Sequence, residues 1–232
     1  MSSAAGERRP FRPPTPEHLT IAGPAGALEA LVEAPTDFAG SDCAVICHPH
    51  PLHGGTMANK VVHTTARALQ ECALATVRFN FRGVGASAGV FDDGRGETED
   101  ALAVVDFALA RWPGAAVTVA GFSFGAFVAF EVAAQRPLRQ LYLIAPPVRR
   151  FDFQRHPAPR IPWTVIQGDR DELVDHAVVL AWVRTVEPPP VVVLLAGAEH
   201  FFHGRLNDLR AALQSNLVAS ADRPGPQRRA GN

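Results

Sequence analysis

Six short apolar runs, separated by stretches with helical periodicity, constrain the fold of this chain more than any other feature. The runs occupy residues 44–47, 75–81, 116–120, 141–145, 163–167 and 191–195. Short unbroken runs of this kind are typical of strands buried on both faces of a parallel sheet. Helical patterns occupy residues 58–73, 97–111, 124–135, 176–186 and 205–219. The alternation predicts an α/β protein with a mostly parallel central sheet and helices on both faces.

The two ends of the chain differ from its centre. Residues 18–22 and 28–34 alternate loosely around a Gly-Pro-Ala-Gly turn, which predicts antiparallel strands at the start of the sheet. Residues 1–16 and 222–232 are rich in proline and arginine and cannot bury an apolar face, so both are predicted to be disordered tails. Residues 17–221 are then expected to form a single domain.

Composition excludes several classes of protein. The chain has 232 residues, of which 47% are hydrophobic, and its formal net charge is -1. This balance argues against a disordered chain and against a nucleic-acid binder, which would carry a basic surplus. We find neither a secretory signal nor the 18 or so consecutive apolar residues of a membrane span. Three cysteines without a CxxC pattern, Cys43, Cys47 and Cys72, fit a reducing cytoplasm.

The pentapeptide Gly121-Phe122-Ser123-Phe124-Gly125 directly follows one predicted strand and begins an apolar helix. A nucleophile elbow has this context: the serine lies on a strained tight turn, and flanking glycines let strand and helix approach closely. The alternative, that Ser123 is only the N-cap of the helix, is less favoured. We therefore interpret Ser123 as a nucleophile.

A serine hydroxyl needs a base, and the base needs an orienting acid. The last two apolar runs are followed by Gly-Asp-Arg-Asp and by Glu-His-Phe-Phe-His, on the same sheet edge as Ser123. Asp171 is favoured over Asp169 because the glycine turn leaves room for the third residue to return toward the sheet. His200 is favoured over His203 because it comes first after the strand.

An oxyanion intermediate needs main-chain N–H donors. One is expected from Phe124, the residue after the nucleophile. The other is expected from the His-Pro-His-Pro sequence at residues 48–51, where His50 has the only N–H between two prolines. We therefore predict an oxyanion hole made by the main chains of His50 and Phe124.

Two segments of the sequence could suggest a bound metal or nucleotide, but each is better explained as a structural loop. His48, His50 and His53 could chelate a metal, but no HExxH pattern or acidic cluster accompanies them, so hydrogen bonding within a tight loop is preferred. The glycine-rich residues 79–89 depart from GxGxxG and precede an acidic loop, which disfavours a nucleotide. No metal and no cofactor are expected.

Together these motifs resemble the α/β-hydrolase superfamily, specifically its small lidless bacterial members, over residues 45 to 205. The resemblance implies a triad of Ser123, Asp171 and His200. The connection over residues 145–162 is short and holds five prolines, which leaves no room for a cap domain. One departure is the His48-Pro49 pair, where many members have His-Gly.

The expected activity is that of a serine hydrolase cleaving small carboxylic esters or thioesters, with a small-molecule ester as substrate, no nucleic acid as partner and no membrane span. Apolar cleft walls are expected from Phe122, Phe124, Phe201, Phe202, Leu52 and Met57. We see no cluster of cations for a charged substrate, which favours a small neutral acyl ester. The alternatives are an acyltransferase on the same fold, a non-catalytic binding protein and a metal-dependent hydrolase. The sequence does not determine the oligomeric state.

Overall fold

The computed structural model describes residues 11–36 and 38–218, and strands alternate with helices over these ranges as the sequence predicts. The strands are β1 (Glu17–Gly23), β2 (Gly26–Glu33), β3 (Asp42–Cys47), β4 (Ala75–Phe79), β5 (Ala116–Phe122), β6 (Gln140–Ile144), β7 (Trp163–Gly168) and β8 (Val191–Leu195). The α-helices are α1 (Lys60–Gln70), α2 (Arg95–Arg111), α3 (Phe124–Ala133), α4 (His176–Val183) and α5 (Leu206–Ser215). A single 3₁₀ turn, Pro51–His53, follows β3.

The strands form one sheet in the order β1-β2-β4-β3-β5-β6-β7-β8. Strand β2 is antiparallel to both β1 and β4, and every other neighbouring pair is parallel. The predicted α/β fold with antiparallel N-terminal strands is therefore confirmed. Because β3, β5, β6, β7 and β8 run in one direction, the loops that follow them lie at the same edge of the sheet.

Helices cover both faces of this sheet. Helices α2, α3 and α4 share one apolar cluster, and α1 and α5 share the other. Strand β3 shows why a continuous apolar run suits this position: Val45 faces the first cluster and Ile46 the second. Cys43 and Cys47 are fully buried with Val45, and burial raises the pKa of Cys43 to about 12. Among the described helices, none is long and apolar enough to cross a membrane.

The connection between β6 and β7 contains turns but no helix over residues 145–162, all of which are described. Phe151 and Phe153 in this segment pack against Phe127 of α3, with ring centroids 4.8 and 5.7 Å apart. These aromatic contacts hold the short connection against the body of the domain. The prediction that no cap domain is present is confirmed.

Residues 11–16, the described part of the predicted N-terminal tail, contact the domain. Pro14 is buried, and the guanidinium of Arg67 in α1 lies 4.2 Å from the ring centroid of Phe11. The rest of that predicted tail, residues 1–10, lies outside the described residues. So do residues 219–232, which include the predicted C-terminal tail, 222–232.

Candidate active site

Ser123 occupies the tight turn between β5 and α3. Its φ of 54° and ψ of -119° lie in a region that residues with a side chain rarely adopt. The turn is held by its own main chain: Ser123 N donates to Ile144 O at 2.8 Å, and Ser123 O accepts from Ala126 N at 2.8 Å. The strand therefore passes into the helix without a looser loop, and the serine side chain lines a cleft at the sheet edge.

The two glycines of the pentapeptide allow this close passage. A Cβ atom added to Gly121 would overlap the carbonyl of Gly125. A Cβ atom added to Gly125 would overlap the carbonyl of Cys47 and lie 2.6 Å from that of His48. Glycine at both positions thus brings the start of α3 against the end of β3, where the predicted oxyanion loop begins.

Ser123, His200 and Asp171 form one hydrogen-bonded chain. The Ser123 hydroxyl lies 3.1 Å from His200 Nε2, and His200 Nδ1 lies 2.8 Å from Asp171 Oδ2. An ionised carboxylate can only accept, so the proton of the neutral imidazole lies on Nδ1 and Nε2 accepts from the serine. His200 is 3% exposed and Asp171 8% exposed, so the chain is shielded from solvent below the cleft.

The Asp171 carboxylate accepts from four donors. Its Oδ2 accepts from His200 and from Gln167 Nε2 at 2.9 Å, and its Oδ1 accepts from the main-chain N–H groups of Leu173 and Val174 at 2.9 and 2.7 Å. Burial raises the pKa of Asp171, but the hydrogen bonds and the charge of His200 outweigh it, so this pKa lies below its ordinary value. The carboxylate is therefore both fixed and ionised.

The two alternative residues lie elsewhere. Asp169 accepts from Gly197 N at 2.6 Å and so ties the loop after β7 to the loop after β8. His203 is exposed, and its nearest charged partner is Glu199, at 3.8 Å. The structure therefore brings Asp171 and His200 to Ser123, as expected from the sequence, and gives Asp169 a turn-holding role.

His48 fixes the loop that follows β3. Its ring is fully buried; Nδ1 donates to Pro49 O at 2.6 Å, and Nε2 accepts from Phe81 N at 3.0 Å. Burial lowers the pKa of His48 to about 4, so the ring is neutral and both nitrogens are used within the protein. This bond to Phe81, just beyond β4, was not anticipated from the sequence.

His50 lies beside the start of α3. Its ring stacks on His53 at 4.4 Å and contacts the ring of Phe124 at 5.0 Å. Within the described ranges, the main-chain N–H groups of His50 and Phe124 donate to no other protein group. Both are therefore available to an oxyanion. No three His, Cys, Asp or Glu side chains of the described residues converge as a metal site would require.

A cleft of about 430 Å³ opens over Ser123. Apolar side chains supply part of its wall, namely Phe124, Val148, Phe151, Leu173, Val174 and Val178. Of the six side chains expected to form apolar walls, only Phe124 does so. The rings of Phe122 and Phe201 instead lie 5.1 Å from the ring of His200, and Phe202 is buried with its ring 6.4 Å from that of Phe122. Those rings orient the histidine.

A second expectation about the cleft is also wrong. Arg149 and Arg150, in the loop after β6, line the same cleft as Ser123. The two arginines belong to the loop after β6, which carries none of the catalytic motifs. The sequence nevertheless indicates where these arginines lie, because the loop after β6 also follows a parallel strand and therefore lies at the carboxyl edge of the sheet.

Comparison with known proteins finds a matching family model and a related sequence. A family model described as serine aminopeptidase, S33, matches residues 50–153. An uncharacterised protein of Rickettsia prowazekii is 34% identical over 206 residues, covering 84% of this chain and 86% of that protein.

Two solved structures are more similar still. An α/β serine hydrolase homologue from Coxiella burnetii has 47% identity and a TM-score of 0.84, covering 87% of this chain and 97% of that one. A serine hydrolase without a lid from Xanthomonas campestris has 45% identity and a TM-score of 0.83, covering 90% and 96%. The chain therefore belongs to the α/β serine hydrolases, within the α/β-hydrolase superfamily.

Proposed function

We propose that this protein hydrolyses small carboxylic esters or thioesters, with Ser123 as nucleophile, His200 as base and Asp171 as orienting acid. The observation that carries the proposal is the unbroken hydrogen-bonded chain from the Ser123 hydroxyl to the Asp171 carboxylate, at the floor of an open cleft. Membership of the α/β serine hydrolases supports hydrolytic chemistry at this serine.

In the acylation step, His200 Nε2 takes the hydroxyl proton as Ser123 Oγ attacks the carbonyl carbon. The electron pair of the C=O bond moves to oxygen, and the N–H groups of His50 and Phe124 hold the resulting oxyanion. Collapse of this intermediate expels the alcohol or thiol, which receives the proton from His200. The acyl group is left on Ser123.

In the deacylation step, water enters through the open cleft and attacks the acyl carbon while His200 again takes a proton. The product acid leaves and the proton returns to Ser123 Oγ. Asp171 stays ionised throughout and stabilises the imidazolium that forms in each half-reaction, in keeping with its lowered pKa. An alcohol in place of water would give acyl transfer, so transfer products are to be sought when alcohols are added.

The test is hydrolysis of p-nitrophenyl acetate and its longer acyl homologues by the wild type and by Ser123→Ala. We expect kcat/KM to fall at least about a thousand-fold in the variant, because the nucleophile is removed. Ser215→Ala, at the exposed end of α5, is the matched control and should keep wild-type activity. Activity that persists in Ser123→Ala, or a folded wild type that cleaves none of these esters, would contradict the proposal.

A further inference from the structure

Arg149 and Arg150 are exposed at the cleft without a counterion. Within the described residues neither guanidinium makes a hydrogen bond or an ion pair. Other exposed arginines of this protein fall into two groups: Arg111 lies 2.9 Å from Glu17, whereas the side chain of Arg184 has no such partner among the described residues. Arg149 and Arg150 differ from such surface arginines because they line the cleft over Ser123.

The loop that carries these arginines is held in place. The main-chain N–H groups of Arg150 and Phe151 donate to Pro147 O at 2.9 and 3.2 Å. The Phe151 ring stacks on Phe127 at 4.8 Å and meets the edge of Phe124 at 5.4 Å. Because α3 anchors the loop, the arginine backbone is fixed beside the start of the helix that carries the nucleophile.

The charge of Arg150 reaches the oxyanion loop. The pKa of His50 is lowered to about 4, first by burial and then by the positive charges of His53 and Arg150, against which Asp93 acts in the opposite direction. Arg150 and His50 both line the cleft over Ser123. An anion bound by the arginines would lie in the same cleft as the reacting ester group.

The acidic side chains at the cleft are hydrogen-bonded to other groups of the protein, and within the described residues they form no ion pair with the arginines. Asp171 is held by His200 and three further donors. Glu172 accepts from His200 N at 3.2 Å, and Asp175 accepts from Ala177 N at 2.8 Å as the N-cap of α4. No ion pair joins these carboxylates to the arginines within the described chain.

We propose that Arg149 and Arg150 bind a carboxylate of the substrate, so that the preferred substrates are esters or thioesters bearing a carboxylate away from the scissile bond. The planar guanidinium groups match a carboxylate with paired hydrogen bonds, and no other described residue supplies them with such a partner. This inference rests on the proposed function and names the substrate class of that same site.

The first test compares two matched pairs of esters on the wild type. One pair carries the charge on the alcohol side: 4-carboxyphenyl acetate against 4-carbamoylphenyl acetate. The other carries it on the acyl side: mono-4-nitrophenyl adipate against the corresponding adipamide ester. With rates corrected for hydroxide-catalysed hydrolysis, we expect the carboxylate to raise kcat/KM about ten-fold or more in one pair, since tenfold corresponds to about 1.4 kcal/mol. The responding pair identifies the side of the ester that the arginines face.

The second test repeats the preferred pair on the doubly substituted protein, Arg149→Gln with Arg150→Gln. The ratio of kcat/KM for the anionic ester over the neutral one should fall to about one. Arg184→Gln, at an exposed arginine beyond α4, is the control and should keep the wild-type ratio. Substituting both cleft arginines with lysine keeps the positive charge but removes the planar guanidinium groups. This variant should retain part of the preference for the carboxylate ester.

The possible failures are distinguishable. Turnover of the neutral esters without any preference for the carboxylate, or a preference that survives in the double glutamine variant, would overturn the inference alone. If the folded wild type cleaves none of the four esters, the proposed function fails and the inference fails with it. Should the double variant not fold, the wild-type comparison of the matched pairs still decides the question.

Discussion

The two charged walls of the cleft are built differently. The wall after β7 carries three carboxylates, of Asp171, Glu172 and Asp175, and each accepts a hydrogen bond from a nearby group of the protein. The wall after β6 carries Arg149 and Arg150, and neither guanidinium has a protein partner within the described residues.

This difference distinguishes charged groups that hold the site in place from charged groups that can bind the substrate. A charged group whose hydrogen bonds are used within the protein fixes a loop or another side chain, because losing that partner would cost free energy. A charged group at a cleft with no internal partner is free to bind a charge on the ligand. We therefore assign the acidic wall to building the site and the basic wall to choosing the substrate.

The largest expected effect comes from Asp171→Asn. An asparagine in its place no longer fixes the His200 proton on Nδ1, so Nε2 ceases to be the base, and kcat should fall roughly 10³- to 10⁴-fold. Asp169→Asn keeps an oxygen for Gly197 N and should change kcat by no more than a few-fold. Steady-state kinetics on p-nitrophenyl acetate checks both; similar losses in the two variants would remove the distinction between the acids.

A smaller effect is expected from Asp175→Ala, measured as the free energy of unfolding in urea. The substitution removes the N-cap hydrogen bond to Ala177 N and should cost about 1 kcal/mol. Asp175→Asn keeps an acceptor oxygen and should remain close to the wild type. If asparagine destabilises as much as alanine, the charge of Asp175 matters more than its hydrogen bond, and its assignment to a purely positioning role is wrong.

The smallest expected effect is the salt dependence of the basic wall. Because Arg149 and Arg150 are exposed, their attraction for an anionic ester is screened, and the carboxylate preference should fall about two- to three-fold from low to high salt. Turnover of the neutral ester measured alongside provides the control. A preference that is insensitive to salt would show that uncharged contacts select the carboxylate ester.

The fold and the convergence of Ser123, Asp171 and His200 could be predicted because both follow from local pattern. Apolar runs alternating with helical stretches determine a parallel sheet, and its carboxyl edge collects the residues that follow each strand. Ser123, Asp171 and His200 each come within a few residues of a strand end. Glycine at positions 121 and 125 then signals the close passage that the elbow needs.

The position of the basic wall could not be predicted in the same way, because it depends on packing between segments that are distant in the sequence. Arg149 and Arg150 line the cleft because Phe151 packs against α3. Likewise, His48 holds the oxyanion loop through Phe81, which lies 33 positions along the chain. Among the residues that were not predicted, Gln167 was the easiest to find from the sequence. It is a polar side chain at the end of an otherwise apolar run, four residues before Asp171.

The most direct test of the central claim is covalent labelling by a fluorophosphonate, with the modified residue identified by tandem mass spectrometry. Our account predicts one adduct per chain, on Ser123, formed at a rate that falls sharply in His200→Ala and not formed in Ser123→Ala. Labelling at another residue, or undiminished labelling of the Ser123→Ala protein, would contradict the assignment of Ser123 as the nucleophile.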